Sequence, residues 1–242
     1  ARTVLALASL CGGLDLSQPH VKTLLREVLG KPSWRAEKPQ LALMCGRPIG
    51  SDLIPPLEPD LLAEYFVLDE LVDSSELEEG LPLVRLAWRV SASSCAHALY
   101  RMAVDFPEND TAWKAILQQP ETDSLETWAI LLKNLIVVVS AERRLVLIDR
   151  LTVIASGSSP APSTLRVHLA QALRNLTIAR SNEKDFALAR GTLDELLLMV
   201  TRTAGDERPE SADAIRRACA GAGTKLFAAL LSNGRVLEAQ EI

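Results

Sequence analysis

The chain has 242 residues, 48% of them hydrophobic and only 4% aromatic, with a formal net charge of −5 at pH 7. That hydrophobic share excludes wholesale disorder, and a Leu- and Ala-rich, aromatic-poor balance favours helices packed on helices over a β-sandwich. The acidic balance argues against a generally basic nucleic-acid surface and leaves room for a local basic patch only.

The first predicted element is a core helix over Thr3 to Leu10, stopped by Gly12 and Gly13. Its sequence, "ARTVLALASLCGG", imitates a lipoprotein signal, but Leu10 stands where such a signal needs a small residue, and the apolar run is short for export. The lack of an initiator Met points to a chain cut from something longer. A second helix is expected from Pro19 to Leu29, capped by Ser17 and ended by Gly30. "KPSWRAEKPQ" holds two prolines and reads as a single turn at most. "LALMC" (41–45) and "DLIPPL" (52–57) read as two short strands around the loop "GRPIGS". Helices followed by a small hairpin are the winged-helix order.

Charge is unevenly placed in this region. His20 to Gly50 carries Lys22, Arg26, Lys31, Arg35, Lys38 and Arg47 against Glu27 and Glu37, whereas Ser51 to Gly80 carries ten acids and no base. Within the acidic part, "PPLEPDLLAEYFVLDEL" (55–71) predicts an amphipathic helix. Pro59 suits its first turn, and Asp60 and Glu64 suit the positive end of the helix dipole. Leu61, Tyr65, Leu68 and Val72 form a stripe at helical spacing, with Leu62 and Phe66 beside it, expected to face inward under an acidic outer face.

After Glu76 the pattern changes to long helices joined by short, proline-containing links. They are expected over Leu83–Val104, Thr111–Gln118, Leu125–Val139, Ala141–Ala155, Thr164–Arg180, Lys184–Thr203 and Ala212–Ser232. A last one begins near Arg235 and is still running at Ile242. A weak repeat shows in "WAILLKNL" at Trp128, "LAQALRNL" at Leu169 and "CAGAGTKL" at Cys219, at offsets near those of helical-hairpin arrays. Ala172, Ala220 and Gly223 are the small residues that would let paired helices approach closely. The expected architecture is mainly all-α: a winged-helix-like domain over 1–75, then a tetratricopeptide-like array of antiparallel helical hairpins over 76–242 that continues past the last residue.

No residue set announces catalysis. Cys11, Cys45, Cys95 and Cys219 lie too far apart for a zinc spacing or a dense disulfide framework, so reduced, mostly buried thiols are expected. His20, His97 and His168 are widely separated, and "CAH" (95–97) would point its two soft ligands in different directions on a helix. "AGAGTKL" (220–226) lacks the spacing of a phosphate loop. Neither a catalytic group, a metal site nor a cofactor site is expected. "NDT" at Asn109 and "NLT" at Asn175 match glycosylation sequons, without meaning in the cytoplasmic protein expected here, and no run is apolar enough to span a membrane. If the first domain read DNA as a winged helix does, Lys22 and Arg26 on the second helix and Arg47 at the wing would make the contacts, with the acidic helix nearby repelling phosphates.

Residues 1–73 resemble a specific region of STAND-type P-loop NTPases, the bacterial signal-transducing ATPases related to NACHT and NB-ARC proteins. In that family a winged-helix-like segment closes with a phrase close to "PLxPDLLGEyFVLE". Here Pro56, Leu57, Pro59, Asp60, Leu61, Leu62, Glu64, Phe66, Val67 and Leu68 match it, and Ala63 stands where the family often has Gly. Beyond residue 73 the resemblance is architectural only. It implies a non-enzymatic regulatory fragment of a defence-type signalling protein. Its array would recognise a protein or peptide ligand and act on an NTPase domain upstream in the same chain, with homo-oligomerisation on activation. The matched helix (Pro59, Asp60, Leu61, Leu62, Glu64, Tyr65, Phe66 and Leu68) would join the two parts. The fragment has no Walker motif and would hold no nucleotide itself. The different class kept beside it is a winged-helix DNA-binding regulator with a helical ligand-binding or dimerisation domain.

Overall fold

A computed structural model describes residues 2–29, 39, 51–58, 60–74, 82–157, 163–203 and 208–242. Among these residues it contains twelve α-helices, one 3-10 turn and a single pair of two-residue strands. The all-α expectation therefore holds. The chain divides into two compact units, residues 1–128 and 129–242. The division expected at 75/76 lies inside the first of these.

In the first unit, α1 (Arg2–Cys11) is central, with every residue from Val4 to Cys11 buried. It packs against α3 (Asp60–Ser74), α4 (Pro82–Val90) and α5 (Ala92–Asp105). A helix apolar all round needs cover on all sides, and these three supply it. Gly12 ends α1 at φ +67°, and the Gly13 N–H donates to the Ala8 carbonyl at 2.7 Å. That six-to-one bond is the Schellman C-cap, which the two glycines predict. The chain then forms β1 (Leu14–Asp15), which pairs antiparallel with β2 (Leu53–Ile54), Leu14 opposite Ile54. The strand expected over 52–57 is thus present as a two-residue piece, and its partner comes from between α1 and α2 (Pro19–Leu29). "LALMC" and Arg47 lie outside the described residues.

Ser17 does not cap α2 through its side chain. Its N–H and hydroxyl both donate to Asp15 Oδ1, at 2.9 and 2.6 Å, an Asx-type turn that competes with capping. These bonds, Ser17's hydroxyl first, hold the Asp15 carboxyl below its ordinary range.

The single helix expected over 83–104 is two, α4 and α5, parted at Ser91. Ser91 is extended at φ −154°, and its carbonyl accepts the first bond of α5 from Cys95. The Ser91 hydroxyl makes no capping bond to the backbone and donates instead to Ser94 Oγ at 2.9 Å. α6 (Asp110–Leu117) follows, capped by Asn109, whose Oδ1 accepts from the Ala112 N–H at 2.9 Å. The residue read as a sequon asparagine is therefore a helix cap. A 3-10 turn (Thr122–Ser124) leads into α7 (Leu125–Leu135), within which the two units divide. Trp128, fully buried, donates its indole N–H to the Ile116 carbonyl at 2.7 Å.

The second unit contains α8 (Ala141–Gly157), α9 (Ser163–Asn182), α10 (Phe186–Thr203), α11 (Pro209–Ser232) and the short α12 (Val236–Ala239). Helices α9, α10 and α11 pack mutually, α8 packs on α9, and α12 on α11. The core is aliphatic, with Leu151, Leu173, Leu196, Ile215 and Leu226 among its buried residues. Helix α10 starts at Phe186 rather than Lys184, because Lys184 is left-handed at φ +64°. Of the small residues expected at close approaches, Ala172 is fully buried but Ala220 is exposed; Ala222 takes the inner position. Arg144, nearly buried, donates to the Ile136 carbonyl at 3.0 Å and to Glu183 at 2.5 Å, so its charge is paired.

Candidate functional site

The helix predicted over residues 55–71 is present as α3, starting at Asp60, but several of its residues do not face as expected. Pro59 lies outside the described residues. Leu61, Leu62, Tyr65 and Val72 are half or more exposed, while Ala63, Glu64, Val67, Leu68 and Leu71 are buried. Phe66 is half-buried, with the Arg2 guanidinium 5.2 Å from its ring centre. The expected inward stripe is therefore wrong by about one residue's rotation at Leu61, Leu62, Tyr65 and Val72, and right at Leu68. The reason is that Arg2 binds Asp69 at 2.5 Å and Glu70 at 3.1 Å, and the Thr3 hydroxyl donates to Glu70 at 2.6 Å. These contacts fix which edge of α3 meets α1.

The rotation carries Glu64 inward to 2% exposure. On α5, Arg101 Nη1 lies 2.7 Å from Asp60 and its Nε 2.8 Å from Glu64 Oε1. The approach to Glu64 is poorly aligned, leaving both Glu64 oxygens and Arg101 Nε without a directed hydrogen bond. Burial, and after it the nearby Asp105 carboxyl, raises Glu64 to about 7 against the opposing pull of Arg101. A charged group taken from water without full compensation behaves in this way. The cluster is an ionic latch between α3 and α5.

The residues weighed for DNA contact are divided. Lys22 is half-buried and Arg26 exposed on α2. His20, two positions before Lys22, opens on a cavity of about 530 Å³ whose other walls include Trp88, Arg89, Glu121 and Asp123. The two acids there disfavour phosphate. The thiols of Cys11, Cys95 and Cys219 are free and buried, and burial raises Cys11 to about 12. Such thiols stay protonated and unreactive. Cys95 is buried and His97 exposed, so "CAH" does diverge. Among the described residues no three His, Cys, Asp or Glu side chains converge as a metal site would require. No described helix is long and apolar enough to cross a membrane.

A second cavity, of about 470 Å³, opens in the second unit, and its described lining residues belong to α7, α9 and α11. Its polar walls are Lys133 and Asn134 from α7, Gln171, Arg174 and Asn175 from α9, and Arg217 from α11. Among the described residues no acidic side chain lines it. Arg217 is held from outside by Asp213, one helical turn back. Lys133 donates to Gln171 Oε1 at 3.1 Å, and burial pulls its ammonium below the ordinary lysine range. Gly221 of α11 lies against Arg174: a Cβ there would fall 2.9 Å from Arg174 Nε. Chemically, two unpaired cations and three carboxamides offer charge to an anion and both donors and acceptors to amide groups. The sequence reading missed all six residues. The signal was present, because aligning "WAILLKNL" with "LAQALRNL" superposes Lys133 on Arg174 and Asn134 on Asn175.

No family model matches the chain, and neither a curated protein nor a solved structure matches it.

Proposed function

We propose that the chain is the non-catalytic regulatory and sensing part of a STAND-type signalling ATPase. On this reading residues 1–75 form the winged-helix-like segment next to an upstream nucleotide switch, and the later helices form a tetratricopeptide-like array that recognises a protein or peptide. The observation that carries it is the second cavity. Among the described residues it is lined by α7, α9 and α11 and by none of the helices between them, the arrangement expected when the first helices of successive hairpins share one recognition face. The pairing of β1 with β2 supports the first part, since a winged helix closes its wing on a strand between its first two helices.

The helix α3, bearing the phrase "PDLLAEYFVL", serves as the joint, and its latch to α5 through Glu64 and Arg101 gives that joint stiffness. Activation by the ligand would be cytoplasmic, with homo-oligomerisation as its outcome. Duplex DNA is the poorer occupant of α2, given Glu121 and Asp123 beside His20. The deciding experiment is to read the sequence encoded ahead of Ala1. A phosphate-loop NTPase there supports the proposal, and a start codon or an unrelated domain overturns it.

A further inference from the structure

We infer that the cavity between α7, α9 and α11 is a binding site for an acidic peptide segment, whose carboxylates meet Lys133 and Arg174 and whose main-chain amides meet Asn134, Gln171 and Asn175. The inference rests on the sensing role proposed for this unit and names the chemistry of its ligand.

Charge comes first. The cavity volume, about 470 Å³, lies in the range of sites that hold small ligands or short segments. Its described lining residues carry positive charge with no acid among them. Arg217 is already paired with Asp213, so Lys133 and Arg174 are the cations left for a ligand. Lys133 is half-buried, and the side chain it donates to, Gln171, is neutral. A cation drawn in from solvent beside a neutral amide is stabilised when an anion arrives.

Peptide rather than nucleic acid follows from the remaining groups. Three carboxamides converge here, and a carboxamide both donates and accepts, which matches a peptide bond. Among the residues lining the cavity there is no aromatic ring on which a base could stack. Arginine's planar fork fits a carboxylate with two parallel bonds. Gly221 leaves room for the arginine. A glycine in a helix interior is unfavourable relative to alanine, yet any Cβ at this position would press on the Arg174 guanidinium.

The test uses the whole chain and fluorescence anisotropy at low salt, with labelled hexaglutamate, hexaglutamine and a single-stranded oligonucleotide of equal charge as probes. Hexaglutamate should bind at least about tenfold more tightly than either of the others, with affinity falling as salt is added. Lys133→Gln and Arg174→Gln should each weaken it by about tenfold, the loss of one charge-assisted contact. Gly221→Ala, which improves helix propensity and so should fold, is expected to weaken binding at least about threefold by displacing Arg174. Equal affinity for hexaglutamate and hexaglutamine, or for the oligonucleotide, overturns the inference, as does unchanged binding in all three variants. The result separates from that of the sensing role. Failure here with a phosphate-loop ATPase encoded ahead of Ala1 removes only the ligand class. Hexaglutamate binding without such an ATPase removes the switch and keeps the site.

Discussion

Glu64 in the first unit and Lys133 in the second are both ionisable side chains drawn in from solvent on a helix, with opposite surroundings. Around Glu64 the protein closes: Arg101 bridges it to Asp60, Asp105 stands beside it, and 2% of the residue remains exposed. Around Lys133 the protein opens, placing Arg174 and three carboxamides on a cleft with no acid among its described lining residues. A buried charge with partners fixes how helices meet, and a half-buried charge without an opposite one leaves something for a ligand to do. The first arrangement is structural, and the second is the better candidate for recognition.

The sharpest way to break this contrast is to remove the latch. Arg101→Ala leaves Glu64 buried without its cation, which typically costs about 3–5 kcal/mol. The cost should be largest above pH 7 and smaller near pH 5, where Glu64 can take up a proton and become neutral. Urea denaturation at the two pH values checks it, and a loss below about 1 kcal/mol at both would show the latch to be ornamental. A similar loss, about 2–5 kcal/mol, is expected for Leu71→Ala on the buried edge of α3. Tyr65→Ala on the exposed edge should change stability by no more than about 0.5 kcal/mol. Reversed values would restore the orientation read from the sequence.

The pH dependence of the unaltered chain is a smaller effect with a definite sign. Glu64 has its native pKa raised from the ordinary glutamate range to about 7. The native state therefore binds more protons than the unfolded chain between about 4.5 and about 7. Its contribution to stability is fully present below the unfolded value and is lost as pH rises through the native one, by on the order of 1–3 kcal/mol. Glu64→Gln should remove that slope. A chain equally stable at both ends of the window would mean that Arg101 outweighs burial.

The contrast also explains what the sequence could convey. The α1 stop at Gly12–Gly13 was legible because a local bond pattern, the Gly13-to-Ala8 cap, is enough to define it. The all-helical character was legible from composition and period. The facing of α3 was not, because Leu61, Leu62, Tyr65 and Phe66 are as apolar as Val67, Leu68 and Leu71. Apolar residues run almost all round that helix, so its spacing names no single inner edge. Contacts 67 and 68 positions away, from Arg2 and Thr3, accompany the facing that the fold adopts. An acid in the first turn reads as a dipole partner by default, and only α5 turns Glu64 into a buried ion pair. The cleft residues come from α7, α9 and α11, and no local pattern joins them. The repeat alignment of Lys133 with Arg174 was the one clue available, and it becomes chemical only when α9 and α11 bring Gly221 and Arg217 to the same place.

The smallest expected effect decides whether the open charge is structural after all. Lys133 donates to Gln171 across α7 and α9, so the bond could be holding two helices together. Burial opposes this, because it pulls the Lys133 ammonium below its ordinary range and makes the charged form less favourable in the native state than in the unfolded chain. The penalty is present in full below the native pKa and fades as pH rises past the ordinary lysine range. Replacing the ammonium with an uncharged chain of similar length removes the penalty and the bond together. Lys133→Met should therefore leave thermal stability within about 0.5 kcal/mol of the original chain, or raise it slightly. It should still weaken hexaglutamate binding by about tenfold. A loss above about 1 kcal/mol would make Lys133 a strut, and the two units would then handle their inward charges alike.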